Sequence, residues 1–371
     1  MCDARTHHIQ TSVVIVTYNN RDDIDACLGS LRTHSPDAEI IVVDNLSSDG
    51  TLDHIRQQYP RVRAVSAGRN GGFGAGNNIG ARLATGTRLV FLNPDTEVKG
   101  AWLAPLIAAL EDDSSVGLVT PTVLLKGTAN RVNACGNDVH LTGLAFCAGL
   151  HHAAPPRSTP ARPVAAISGA AFAIRRELWE QLGGFDERFF MYLEDTDLSL
   201  RARRLGYTIL HVPASRVWHD YRVSVSAAKL YHLERNRLLM LHKNLSPATL
   251  VLLSPALALT EVLTWIFCLQ QGKAYALAKW HSYRGFWRER RRSEHPARQL
   301  SPRYDDHALV HSFGSRLALE QMRQGALATT ANDLLTIFYT VWRLVALVAL
   351  RDMRNNTKTV VGCAARYEYG Q

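Results

Sequence analysis

Asp95 closes the run Val90-Phe91-Leu92-Asn93-Pro94-Asp95, an apolar strand that delivers a carboxylate onto a turn. A carboxylate at the edge of a buried strand can hold a divalent cation against a diphosphate. Asn93 lies two residues earlier, a spacing at which both side chains reach one ion from a single turn. Far downstream comes a second acidic cluster, Glu194-Asp195-Thr196-Asp197, which opens a helix ending in Arg201, Arg203 and Arg204. Carboxylates in a first turn complement the helix macrodipole, so part of the cluster has a structural reading. Three acids in one turn exceed that need. Their repulsion in a cleft would raise at least one pKa, as a general base requires. Together the clusters suggest transfer chemistry on a nucleotide-activated substrate.

Other residues fit the same theme, each with a plainer alternative. Asp44, at the end of Ile41-Val42-Val43-Asp44, either accepts the imide N–H of a pyrimidine base or caps the following helix. Thr17-Tyr18-Asn19 offers backbone and aromatic contacts to a nucleotide. The stretch from Arg69 to Gly80 is Gly-rich before a helix, which lets backbone approach a diphosphate or sugar, or simply makes a flexible loop. Within it, Asn70, Gly72, Phe73 and Asn77 are donor-side candidates. It has neither the first-strand position of a dinucleotide fingerprint nor the Lys-Ser/Thr of a P-loop. Gly183 to Tyr192 combines a tight turn with an aromatic wall suited to a sugar face or to core packing. Trp218 and Asp197 are acceptor-side candidates. His219, beyond the last strand, is either structural or a further metal ligand.

These residues need a scaffold that brings strand ends together. Ser12 to Val16, Glu39 to Asp44, Val62 to Ser66 and the run from Val90 that ends at Asp95 read as short buried strands. Helical patterns over 24–31, 52–59 and 75–84 separate them, which indicates βαβ units and a mostly parallel sheet flanked by helices. Ligands of such sheets bind beyond the carboxyl ends of the strands. Residues 120–165 break the rhythm and include a Pro-rich patch, read as short strands plus a mobile surface loop. A strand over 165–174, helices over 176–182 and 194–205, and a strand over 207–212 follow.

The last third differs in composition. Leu250–Leu269 and Leu334–Leu350 are almost wholly apolar, but hold Glu261 and Arg343. Roughly 20 apolar residues can span a bilayer, yet an interior charge is costly there. Helices lying on or dipping into a membrane, or packing on each other, are expected. Net charge is +9, and Arg284 to Arg298 carries much of the excess beside Phe286 and Trp287. That run suits an anionic lipid surface, nucleic acid or plain solvation; no nucleic-acid partner is expected. Six scattered cysteines without a CxxC pair argue against a disulfide framework or zinc site. Residues 1–8 show no secretory h-region, so a cytoplasmic location is expected.

Taken in order, Val13–Asn20, Ile41–Gly50, Asn70–Asn78, Phe91–Thr96, Gly183–Leu198 and Trp218-His219 resemble the family 2 glycosyltransferases of the GT-A fold, rhamnosyltransferase-like members in particular. The resemblance covers about residues 10–245, with 246–371 as a helical extension expected to associate with a membrane. It implies inverting transfer from a dTDP- or UDP-linked sugar, assisted by Mg²⁺ or Mn²⁺. Asp44 then reads the base, and Thr17 and Asn19 line the nucleotide pocket. Asp95 and His219 meet the metal, with Asn93 replacing the first acid of the family's Asp-X-Asp motif. Asp195, beside Glu194, is the base. A glycan or lipid-linked acceptor at the inner face of the cell membrane is expected. The rivals are a sugar nucleotidyltransferase, whose Arg/Lys-bearing signature is missing at the first strand, and a non-catalytic nucleotide-sugar-binding protein.

Overall fold

Val13, Val14, Ile15 and Val16 are β-branched and buried on both sides of their strand, so β1 (Thr11–Thr17) runs through the centre of the protein. The computed structural model describes residues 10–221, 226–292, 306–318 and 332–352. Residues 1–8, Cys2, Cys363 and positions 293–298 of the basic run lie outside the described residues.

The βα alternation continues through α1 (Ile24–His34), β2 (Glu39–Asp44), α2 (Thr51–Gln58), β3 (Arg63–Ser66), α3 (Gly72–Leu83) and β4 (Arg88–Leu92). β1 pairs in parallel with β2 on one side and β4 on the other, so strand order reverses at β1. The crevice at such a switch point is where ligands bind in open α/β sheets. Side chains alternate across the sheet. Val13 and Ile15 pack with α1, and Val14 and Val16 pack with α3. α3 approaches closely because a Cβ on Gly80 would stand 2.3 Å from the Val14 side chain.

Beyond β4 the chain adds β5 (Thr96–Val98), α4 (Leu103–Glu111), β6 (Val116–Leu125), β7 (Val132–Ala134), β8 (Asn137–Val139), β9 (Ala145–Cys147), β10 (Arg162–Pro163), β11 (Ala171–Arg175), α5 (Arg176–Leu182), α6 (Glu194–Arg204) and β12 (Thr208–His219). β11 enters antiparallel between β4 and β6, so the far half of the sheet is mixed. That reversal has a use: it brings the loop before β11 to the carboxyl end of β4. The strand expected over 165–174 is therefore only its last part. Residues 120–165 hold the short strands expected there, and the Pro-rich patch is a loop tied down by two arginines. Arg216 Nη2 donates to Pro155 O at 2.7 Å and Arg157 Nη1 to Ala214 O at 2.6 Å. β12 runs on to His219, seven residues past the expected strand end at Val212.

Helices α7 (Ala227–Asn244), α8 (Pro247–Leu252), α9 (Ser254–Gln271), α10 (Lys273–Arg290), α11 (Asp306–Ser312) and α12 (Asn332–Asp352) form the C-terminal part. The two interior charges there are satisfied. Glu261 pairs with Arg237 of α7 and, at 2.9 Å, with Lys279 of α10. Arg343 donates to Val310 O and His311 O of α11. α12 is long and apolar enough to cross a membrane, by length and composition alone.

Candidate active site

One cavity of 1720 Å³ opens at the carboxyl ends of β1 and β4 and extends between α7 and α9. On its sheet side β12 delivers His219. Alternation along that strand turns Val217 and His219 one way and Trp218 the other. His219 Nδ1 lies 2.8 Å from Asn133 Oδ1, which accepts its proton. Nε2 is thereby left as an acceptor, 3.2 Å from Asp95 Oδ1 and 3.4 Å from Asn93 Nδ2. Asp95 Oδ1 is buried and has no hydrogen-bond donor. Two acceptors so close, one an orphan, leave a place for a proton or a cation between them.

The opposite wall is the start of α6. Asp195 Oδ2 accepts from Gly169 N at 2.8 Å and Asn137 Nδ2 at 3.1 Å, and Oδ1 accepts from Thr196 N at 2.6 Å. Gly169 belongs to the loop that antiparallel β11 carries to this edge. Burial raises the Asp195 pKa against those bonds. Glu194, buried with Oε2 unpartnered, is pushed up to about 8 by burial first and by the Asp195 charge second. Glu194 therefore keeps its proton through neutral pH, and the two carboxyls titrate as a pair.

The loop before α6 is held in an uncommon backbone. Phe190, Tyr192 and Leu193 have φ of 62°, 70° and 66°, left-handed values that cost free energy in non-glycine residues. Asn236 of α7 compensates: its Nδ2 lies 2.7–2.9 Å from the carbonyls of Phe189, Met191 and Tyr192. Arg235 adds bonds to Arg188 O and Phe189 O. The Phe190 carbonyl in turn accepts from Phe73 N at 2.7 Å. It lies where a Cβ on Gly72 would be, 2.1 Å away, and Gly72 has φ +85°, so only glycine fits.

Thr17, Tyr18, Asn70, Gly72, Phe73, Asn93, Asp95, Glu194, Asp195 and His219 all line this cleft. Five expected residues do not. Asp197 is buried and ion-paired at 2.8 Å with both Arg201 and Lys243, so it is a structural charge and not an acceptor contact. Trp218 packs behind β12 under Lys99, whose Nζ is 4.9 Å from the ring. Asn77 is buried and donates to Phe73 O within α3. Asn19 (φ 56°) accepts from Ser48 N at 2.8 Å and shapes the rim. Asp44 accepts from Thr17 Oγ1 at 3.1 Å and Ser47 N at 2.9 Å and does not cap α2, whose N-cap is Gly50. Asn45 lines the cleft in place of Asp44, its Oδ1 buried and unpartnered.

Asn133, Asn137, Asn236 and Lys229 were not singled out from sequence. Asn133 and Asn137 flank Gly136 among short strands, a weak signal.

Residues 12–134 match the family described as Glycosyl transferase family 2, and residues 90–231 match Glycosyl transferase family group 2. Over 253 residues the chain is 30% identical to the N-acetylglucosaminyl-diphospho-decaprenol L-rhamnosyltransferase of Mycobacterium tuberculosis, an overlap of 60% of this chain and 79% of that protein. The chain is a family 2 glycosyltransferase. The enzyme transfers a sugar from a nucleotide donor. It is also 28% identical to the low-salt glycan biosynthesis hexosyltransferase Agl10 of Haloferax volcanii, over 62% of this chain and 74% of that one. Its fold is GT-A. Similar solved structures are GalNAc-T7 with UDP, GalNAc and Mn²⁺ (TM-score 0.53, 24% identity, 64% of this chain, 48% of that) and the mannosyltransferase PcManGT of Pyrobaculum calidifontis with GDP-Man and Mn²⁺ (TM-score 0.50, 18% identity, 92% and 88%).

Proposed function

We propose that this glycosyltransferase is inverting and metal-assisted, and moves a hexose such as rhamnose from a dTDP- or UDP-linked donor to a hydroxyl of a lipid-linked or cell-envelope glycan. The observation that carries this reading is one cleft with Asp95 and His219 on one wall and Asp195 on the other. The rhamnosyltransferase relative supports the donor and acceptor class.

The facing acceptors of Asp95 and His219 suit a divalent cation. Among the described residues no third His, Cys, Asp or Glu joins them, so Asp95 and His219 would be the residues that hold the ion. Bound there, Mg²⁺ or Mn²⁺ offsets the negative charge of the departing diphosphate. Asn133 fixes the His219 tautomer, as partners of metal-binding histidines do. Tyr18, Thr17 and Asn45 hold the base end of the nucleotide, and Asp44 behind them anchors Thr17 and Ser47. Asn70, Gly72 and Phe73 border the sugar diphosphate. Asp195 takes the proton of the acceptor hydroxyl as that oxygen attacks C1 opposite the leaving group, a single displacement that inverts the anomeric centre. Glu194, held protonated, donates a hydrogen bond to substrate without adding charge beside the base.

The catalytic domain spans 10–245, and 246–371 is the helical extension. Exposed apolar residues on α9, α10 and α12, with Arg284, Arg288 and Arg290 to Arg292 at the end of α10, support a peripheral place on the cytoplasmic face of the membrane. The test is a screen of nucleotide sugars with and without Mn²⁺, followed by NMR of the product. Metal-dependent turnover with inversion is expected; a product that keeps the donor's anomeric configuration removes the single-displacement mechanism.

A further inference from the structure

The cleft holds more than its donor. Ligand pockets usually enclose about 300–1,000 Å³, and this one encloses 1720 Å³. Its lining changes along its length. Around the strand ends it is polar. Past Tyr192 the walls come from α7, α9 and α12, with Leu230, Leu263, Ile266, Phe267 and Leu335 facing the space. The charged groups bordering this part, Glu234 and Arg237, bond to each other and to the adjoining helices, so they offer little to a sugar. Ile266 also belongs to the outer surface, 47% exposed on a stripe with Val262 and Leu269. The inner groove thus opens onto an apolar helix face.

One cation stands where the two halves meet. Lys229, on the first turn of α7, lies 5.2 Å from the Tyr192 ring and 6.0 Å from that of Tyr221. It lines the cleft and has no carboxylate partner among the described residues. Half-buried cations are normally paired, so an anionic group belongs there when substrate is bound.

We propose that the inner groove holds the apolar chain of the lipid-linked acceptor, with Lys229 against the phosphate that joins chain to sugar. This rests on the acceptor class proposed above and adds the place where it binds. The chain enters from the α9 face, its anionic link stops at Lys229, and the sugar hydroxyl is left facing Asp195. A soluble nucleotide or free glycan leaves this half empty.

The test is binding of a dansylated isoprenoid diphosphate to the full chain, read by fluorescence, with UDP plus Mn²⁺ binding measured on every sample. The wild type should bind both probes together, without competition. Ile266→Asp, at the exposed mouth, should weaken the isoprenoid probe about tenfold, the loss of roughly one buried aliphatic contact. Leu269→Asp, on the same stripe but outside the groove, should leave its affinity unchanged. Lys229→Gln should weaken the diphosphate probe and not the matching isoprenol. Unimpaired UDP binding shows that each variant is folded. If UDP binds but the isoprenoid diphosphate does not, or is displaced by UDP, this inference falls and the glycosyltransfer reading stands. Equal losses in Ile266→Asp and Leu269→Asp also overturn it, because binding is then to the open face. If UDP with Mn²⁺ does not bind the wild type, the proposed donor site fails first and this inference with it.

Discussion

Nε2 of His219 stands 3.2 Å from Asp95 Oδ1, while Nδ1 of the same ring is bonded to Asn133. The ring is therefore oriented from behind, and its free lone pair meets a carboxylate oxygen that has no donor of its own. Asn93, two residues before Asp95, contributes only an amide 3.4 Å from the ring. Asp95→Ala should therefore weaken Mn²⁺-dependent UDP binding by at least about tenfold, and Asn93→Ala by much less. Calorimetric titration with and without metal distinguishes them; equal losses would place the ion elsewhere.

Asp195 is held by four donors from three residues, Asn137, Gly169 and the backbone and hydroxyl of Thr196. Asp195→Asn keeps the shape and removes the base. Transfer should fall by about 10²–10⁴, the usual contribution of a general base, with donor affinity nearly unchanged. Retained turnover in this variant would take Asp195 out of that role.

Glu194 gives a pH signature. Its folded pKa, about 8, lies above the unfolded value of 4.5, so the folded enzyme keeps a proton that the unfolded chain releases. Stability from this group is present below about pH 4.5 and is lost as pH rises through about 8. Glu194→Gln should flatten that decline in urea melts and keep neutral-pH activity, since its amide mimics the protonated acid. A steep loss of activity at pH 7 would show that the charged form of Glu194 is needed.

The Asn236 amide shares its two N–H groups among the carbonyls of Phe189, Met191 and Tyr192, beside the left-handed residues Phe190, Tyr192 and Leu193. Asn236→Ala leaves buried carbonyls unpaired, at a cost of about 1–3 kcal/mol. Because this loop leads directly into Glu194, kcat should drop more than donor affinity does. A variant that melts earlier but keeps its kcat would make Asn236 purely structural.

Much of this was legible in the sequence, for a reason that varies along the chain. Val13–Val16 and Ile41–Val43 announce themselves because a strand buried on both faces must be continuously apolar. The Asn93–Asp95 turn and the Glu194-Asp195 pair follow from the elements that carry them. Asn133, Asn137 and Gly169 were hidden because their roles arise from pairing distant in sequence. Gly169 reaches Asp195 only because β11 runs antiparallel. Asp197 and Trp218 misled for the opposite reason. Near-neighbours of site residues point elsewhere, Asp197 by the helical turn and Trp218 by strand alternation.

Glu261 looked out of place in an apolar helix, and its surroundings explain it. Lys279, fully buried on α10, reaches Glu234 of α7, Glu261 of α9 at 2.9 Å and Thr264 at 2.6 Å. Arg237 closes the network by bonding both glutamates. Burial works against the Glu261 charge, but Arg237 and Lys279 prevail and bring its pKa down to about 2, below the unfolded 4.5. Its contribution is thus complete above about pH 4.5 and is lost as pH falls through about 2. Lys279→Met leaves buried Glu234 and partly exposed Glu261 to share one arginine, and should cost about 2–4 kcal/mol. Adding Glu261→Gln should recover part of that loss by removing the surplus charge. If the double variant is no more stable than Lys279→Met alone, packing of the lysine stem rather than charge balance joins α7, α9 and α10.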